Sequence, residues 1–529
     1  MRPTVALNPV WKNVLFLCPE ADRSGAFNAT QPKFPAMKTA PSSLPAKRRV
    51  RNTRKLKQQA KTATIATPVG SLDELRPVHR RAAGIDVGSA ENYAAIPAEG
   101  LAAGESPVRV FGVFSQEQDA LVEWLRAHQI TTVAMEATGI YWLTLYDKLE
   151  AAGIEVYLVD PHGVKAVPGR KSDWLDCQWL QKLHTYGLLQ RAFRPDPPIR
   201  RLRTLTRQRA ELVICGGVHL QHMGKVLIAM NLHLHLVVSD LHGETALRII
   251  EAILAGERDP KTLVKLRDPR CHKSTLAEME AGLKGTYDDE NLFVLEQSYQ
   301  GWKFYQEQLT HCDERIEKVL AVLPTAKAVT REAPPKPVAI PSAPKRGRKK
   351  QINRGPNAAA VDFSQALKRI CGVDLIQVCG LNLLTVLMLL GEIGTDMSRW
   401  RNARAFASWL GLCPGAKISG GKVLSRRTRK VNNRASTLLR LAAWGAGKTD
   451  TWLGHFYRRI RARRGAPKAV TATARKLACV IYHMMKYGDE FVFLDTTQYE
   501  ARARDHRLHR LRKEAQKLGF ELTELQQVA

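Results

Sequence analysis

The chain has 529 residues, enough for two or three domains with buried cores, and carries 81 Lys and Arg against 50 Asp and Glu, a formal charge of +31 with an isoelectric point near 10.0. So large a cationic excess points to a polyanionic partner, and the absence of an uninterrupted apolar run long enough to span a bilayer argues against a membrane. Nine cysteines are scattered without a C-x-x-C pair, which argues against both a disulfide framework and a structural zinc site.

Residues 1–78 lack helical or strand periodicity and are basic between Lys47 and Lys61, so a disordered N-terminal extension is expected. It reads either as a source of nonspecific phosphate contacts or as a solvated tail. Met37 opens the basic segment and is an alternative start. Val14 to Cys18 is too short for the core of a signal peptide, so a cytoplasmic location is expected.

Residues 79–198 alternate. Strands at Gly84, Asn92, Val108, Thr131 and Glu155 are interleaved with helices at Gln118 to His128 and Tyr141 to Ala152, the pattern of an α/β domain with a mixed sheet. Gly84-Ile85-Asp86-Val87-Gly88-Ser89 is a short apolar strand carrying one carboxylate. Thr131 to Glu136 is a β-branched strand that ends on a second. In Lys171-Ser172-Asp173-Trp174-Leu175-Asp176, two more stand three apart and share one helix face. Taken singly, each acid reads as a turn former, a cap or a solvated charge. Converging from separate elements, the same four suit a magnesium site, because Mg²⁺ takes hard oxygen ligands and two such ions can stabilise both oxygens of an in-line displacement at phosphorus. The bend at Arg194-Pro195-Asp196-Pro197-Pro198 is a domain boundary.

From residue 199 to 323 the chain reads as helical. Trp302, Tyr305, Leu309, Cys312, Ile316, Val319 and Leu323 form a coiled-coil seam that needs a partner, either an earlier helix such as Ile199 to Ala229 or a second subunit. The histidines at 219, 222, 233, 235 and 242 are irregularly spaced and read as packed or solvated. Residues 324–360, with Ala333-Pro334-Pro335-Lys336-Pro337 and the basic run Lys345 to Lys350, are expected to be an extended, mobile linker.

Residues 361–488 read as a mainly α-helical C-terminal domain. Gly372 to Leu381, leading into the apolar helix Leu383 to Glu392, resembles a helix-hairpin-helix that offers backbone amides to a phosphate. Between Arg401 and Val470 there are 17 Lys or Arg and one acid, Asp450, a balance that calls for a polyanion. Trp400, Trp409, Trp444, Trp452, Phe456 and Tyr457 supply core and a possible stacking surface, with core the favoured reading at helical spacing. Ser419-Gly420-Gly421 reads from spacing as a turn, flanked by Lys417, Lys422, Arg426, Arg427, Arg429, Lys430 and Arg434 as candidate nucleic-acid contacts. Residues 489–529 look like a charged terminal helix.

The three acidic pieces, together with Leu410-Gly411-Leu412-Cys413-Pro414 and Ile418-Ser419-Gly420-Gly421-Lys422, resemble the DEDD transposases of the IS110 insertion-sequence family. The resemblance implies a RuvC-like, RNase H-related fold for residues 79–198. It implies metal ligation by Asp86, Glu136, Asp173 and Asp176, with two Mg²⁺ ions expected, and a nucleophilic serine at Ser419, with Ser425 as its neighbouring rival. It further implies donor and target DNA, a structured noncoding guide RNA that pairs with both, a homo-oligomer (dimer or tetramer) in which the coiled-coil seam is expected to serve between subunits, a bacterial nucleoid-associated setting, and two domains that act on one scissile phosphate. Two other functions stay open from the residues themselves. One is a RuvC-like nuclease or junction resolvase in which metal-activated water attacks, and the other is a nucleic-acid-binding protein without catalysis.

Overall fold

The computed structural model describes residues 76–99, 101–137, 139–160, 173–326, 357–425, 427–429, 431, 433–488 and 496–521. Most of the N-terminal extension and most of the Pro/Lys-rich linker lie outside the described residues. The chain parts into two compact units between Arg194 and Pro195.

The first unit is built on a five-stranded mixed sheet. Its strands are β1 (Ala82–Val87), β2 (Glu91–Ala95), β3 (Val108–Gly112), β4 (Thr132–Glu136) and β5 (Glu155–Val159), in the order β3-β2-β1-β4-β5. β1, β2 and β3 pair antiparallel, the first two across the short turn 88–90, whereas β1, β4 and β5 pair parallel. Parallel neighbours need crossovers, and α1 (Ser115–Ala127) and α2 (Trp142–Ala151) supply them. Both crossovers cover one face, where Ile85, Val133, Met135, Val156 and Leu158 pack against Leu121, Leu125, Leu145 and Leu149. The opposite face is covered by α3 (Asp173–Thr185), through Cys177 against Ala95 and Val108 and through Leu180 against Ala134 and Val159. With both faces covered, β1 reads as a nearly unbroken apolar run, and its one acid is the exception.

The second unit begins with α4 (Pro197–Ala229), which packs along α9 (Asp289–Val322). The Trp302-to-Leu323 seam therefore finds its partner in the earlier helix of the same chain. Cys312 Sγ donates to Leu205 O at 3.5 Å, Gly216 packs on Tyr305 and Gly301 lies against the His219 ring, so the two helices run antiparallel. By length and composition α4 is apolar enough to cross a bilayer. Its Leu220, Met223, Val226 and Leu227 instead join a core shared with α5 (Leu234–Val237), α6 (Glu244–Leu254), α7 (Pro260–Lys265) and α8 (Leu276–Gly282).

A buried ion pair locks this helical pair: Arg209 Nε and Nη2 donate to the two Asp313 carboxylate oxygens at 2.6 and 3.1 Å. Arg209 also donates to the carbonyls of Asn357 and Ala358, and Asp313 accepts from Ala360 N at 2.9 Å. At its other end Ala326 N donates to Arg369 O. The C-terminal described end of the linker is thus tied to the buried pair through its backbone groups, while Ala326 at the other described end is held by Arg369 O.

The remaining elements are α10 (Ser364–Cys371), α11 (Leu383–Ile393), α12 (Ala403–Trp409), the hairpin β6 (Lys417–Ser419) and β7 (Lys422–Ser425), α13 (Arg434–Ala446), α14 (Trp452–Arg464), α15 (Ala466–Tyr487) and α16 (Thr496–Lys517). Between α10 and α11, Gly380 adopts φ +91°, and a Cβ there would lie 2.4 Å from Ala442 O of α13. Asn382 caps α11 by accepting from Thr385 N. Trp400, Trp452 and Tyr457 are buried, and Tyr482 closes the core with a hydrogen bond to Trp400 O at 2.8 Å.

Candidate active site

Strand alternation puts Ala83, Ile85 and Val87 on the α1/α2 face and leaves Gly84 and Asp86 facing α3. What lets α3 come close is Gly84. A Cβ at that position would lie 2.3 Å from Gln181 N and 2.4 Å from Cys177 O, so only a residue without a side chain admits the helix backbone there. The helix is then pinned along its length. Gln181 Nε2 donates to Ala82 O at 3.4 Å, His184 Nε2 hydrogen-bonds Thr132 Oγ1 at 2.9 Å, and the terminal Thr185 carbonyl accepts from Val78 N and His79 N. Because its C-terminal end sits at the start of β4, its first turn reaches the far end of β1.

That first turn carries Asp173 and Asp176. Ligand oxygens of Asp86, Asp173 and Asp176 all lie within 4.8 Å of one another; Asp86 and Asp176 are half-buried and Asp173 is exposed. Glu136 is not part of this close group. The parallel pairing Ile85↔Met135 places it on the adjacent strand, on the face that bears Thr132 and Ala134, about one strand spacing (about 4.8 Å) from Asp86. Three carboxylates this close repel, and a divalent cation relieves the repulsion. The donor set fits a hard ion such as Mg²⁺, since every ligand atom is a carboxylate oxygen. The neighbouring Cys177 thiol is pushed up to about 12, by burial first and then by the Asp86 charge, so it stays protonated and does not compete.

Two residues beside this cluster were not singled out in the sequence. Tyr93 pairs with Asp86 across β1 and β2, packs against the cluster containing Cys177, and donates its hydroxyl to Glu91 at 2.8 Å. Its phenol is held above the usual range, first by that hydrogen bond, then by burial and by the charges of Glu91, Asp173 and Asp86. The parity of Glu91, Tyr93 and Ala95 on β2 is the signal that would have found them. At the other end of α3, the stacked rings of His79 and His184 sit beside Tyr157, and the His184 imidazole is lowered to about 4 by burial and then by His79.

Ser419 belongs to the second unit. Gly420 (φ +53°) and Gly421 (φ +73°) form the two-residue turn of the β6–β7 hairpin, with Ser419 paired to Lys422. Left-handed backbone at both turn positions is what glycine permits at least cost. The hairpin projects into solvent: Ser419 and Lys422 are exposed, as are the apolar Ile418 and Leu424, and nothing would meet a Cβ at either glycine. At its base, Gly415 N donates to Arg427 O at 2.9 Å and Pro414 bridges to Thr428. Among the described residues no hydrogen-bond partner holds the Ser419 hydroxyl, whereas Ser425 Oγ accepts from Arg427 N at 3.2 Å.

The candidate phosphate contacts divide. Lys422 and Arg427 are exposed, Arg429 donates to Ser408 O at 2.8 Å, and Arg434 lies 3.7 Å from Glu211. Arg426, Lys430 and the Lys417 side chain lie outside the described residues.

Comparison with known proteins adds two family matches. Residues 83–227 match a family model described as "Transposase", of the DEDD IS110 type, a span that includes all four carboxylates. Residues 374–458 match the "Transposase IS116/IS110/IS902 family" model, a span that includes the Ser419 hairpin. No curated protein matches the chain.

Proposed function

The chain is a transposase of the IS110 insertion-sequence family, and from that premise we propose that it cuts and rejoins DNA by divalent-metal-dependent phosphoryl transfer with Ser419 as the attacking group. The observation that carries the reading is the convergence of Asp86, Asp173 and Asp176, from a strand and a helix far apart in sequence, with Glu136 on the adjoining strand. Asp86, Asp173, Asp176 and Glu136 would hold two magnesium ions, whose chemistry is to neutralise the phosphate and stabilise the attacking and leaving oxygens. The chain's own contribution is positional: Gly84 keeps α3 against β1, and the Thr132–His184 contact holds the helix in register so that its first turn stays beside Asp86.

On the hairpin, the Ser419 oxygen attacks phosphorus, its proton passes to solvent, and a strand end is released as a hydroxyl while a phosphoserine forms. A hydroxyl of the incoming strand then attacks the same phosphorus and frees the serine, so the phosphodiester is conserved. Exposed Lys422 and Arg427 offset the phosphate charge. DNA is the substrate, a structured noncoding RNA encoded beside the gene directs the choice of site by base pairing, and the active form is a homo-oligomer.

The water-attack reading keeps one point in its favour, namely that no base holds the Ser419 hydroxyl among the described residues. The two are separated by trapping the protein on cognate DNA and RNA with Mg²⁺, digesting it and searching for a nucleotide-bearing peptide. Recovery of the 419 peptide supports the serine route; full recombination by Ser419→Ala refutes it.

A further inference from the structure

The rim of the carboxylate cluster bears large apolar side chains that the core does not use. Trp174 and Leu175 lie between Asp173 and Asp176 on the first turn of α3 and are 41% and 49% exposed. Ile140 and Tyr141, on the connection that leaves β4 just after Glu136, are 73% and 49% exposed. Both segments flank the carboxyl ends of the parallel strands, where open α/β sheets bind their ligands. Other tryptophans of the chain are spent on packing: Trp124 and Trp452 are buried, and Trp142 donates to Gly139 O with the Arg194 guanidinium over its ring. An exposed indole in the same helical turn as two metal-site carboxylates is different. It offers a flat apolar surface within about one helical turn, about 5.4 Å along the axis, of carboxylates that would hold a phosphate through bound divalent metal.

The geometry points to a stacking platform in which Trp174, assisted by Tyr141, takes an unpaired base of the DNA strand whose phosphate the carboxylate cluster would hold through bound metal. Aromatic side chains stack on any base, and a base inside a duplex has no free face to offer, so a nucleotide bound here must be unpaired or turned out of the helix. The site thereby selects opened DNA over intact duplex at the point of cutting. This rests on the metal-dependent cleavage reading of the same carboxylates.

The test uses the full chain with Ca²⁺ in place of Mg²⁺, and single-stranded or fully duplex oligonucleotides that carry one 2-aminopurine, a base whose fluorescence is quenched by stacking. Protein should quench the single strand strongly and the duplex little. Trp174→Ala should abolish most of that quenching and weaken single-strand binding by about ten-fold or more, Trp174→Phe should restore much of both, and Tyr141→Ala should give a smaller loss. Unchanged melting of the variants excludes a folding defect, and the phenylalanine variant with Tyr141→Ala decides the matter should the alanine variant melt early. Quenching by Trp174→Ala equal to wild type, or equal quenching of single strand and duplex, overturns the proposal. A wild-type protein that shows Trp174-dependent quenching but cuts no DNA in Mg²⁺ would refute the cleavage reading and leave the platform standing.

Discussion

Replacing Gly84 by alanine puts one methyl group between β1 and α3, and the contacts it would make are with backbone: Gln181 N at 2.3 Å, Cys177 O at 2.4 Å and Gln181 Cα at 2.9 Å. Carbon ordinarily sits about 3.5–4.0 Å from such atoms, so the helix must retreat by about 1 Å or more. Overpacking costs about 1–3 kcal/mol, and the upper end applies because helix backbone, unlike a side-chain tip, cannot swing aside. The same retreat carries Asp173 and Asp176 away from Asp86, and a misplacement of about 1 Å in a reacting constellation costs about 10²-fold in rate. Gly112→Ala is the control in the same sheet, because the atoms nearest its Cβ belong to the flexible Glu117 side chain, the first at 3.1 Å. Urea unfolding measures the first effect, and strand cleavage against Mg²⁺ concentration measures the second, with a higher metal requirement expected for Gly84→Ala. Cleavage by that variant at the wild-type rate and wild-type Mg²⁺ dependence would show that the close approach of α3 does not set the carboxylate geometry.

Asp86→Asn, Glu136→Gln and Asp176→Asn should each lower cleavage by about 10²-fold or more while melting and DNA binding change little, because charge is lost without volume; normal recombination by any of them counts against the site. DNA affinity should fall by about 10³–10⁵ between 50 and 200 mM salt if 6–10 phosphates are covered, as a gel-shift titration would show, and a flat profile would contradict a cationic surface releasing counterions. His184 has its imidazole lowered from 6.5 to about 4, so the unfolded chain takes a proton that the folded chain refuses. Its contribution is therefore fully present above pH 6.5 and lost as pH falls towards 4, up to about 3 kcal/mol over that window. Urea unfolding at pH 7 and pH 5 should show a drop that His184→Gln reduces; an equal drop in the variant would place the pH dependence elsewhere.

Much of the first unit could be read from order alone. Alternating β-branched runs and amphipathic segments place Asp86 and Glu136 on strands and Asp173 with Asp176 on one helix face, because side-chain periods of 2 and 3.6 are local properties of the backbone. The Ser419 turn was equally legible, since two glycines between β-forming residues permit the left-handed turn that a short hairpin requires. Other features depend on which elements meet, and no local pattern encodes that. Gly84 is unremarkable as a sequence letter and becomes decisive only because Cys177 and Gln181, nearly a hundred residues on, pack against it. The Trp302-to-Leu323 seam demanded a partner without naming one, and the antiparallel approach of α4, closed by Arg209 on Asp313, chose it within the chain. Tyr93 and Glu91 join the carboxylate cluster through the β1–β2 register, and Trp174 stands exposed because the first turn of α3 ends at the rim of the sheet rather than under it. Local periodicity decides which face a residue takes on its own element; only long-range packing, which balances burial against backbone contact, decides what that face meets.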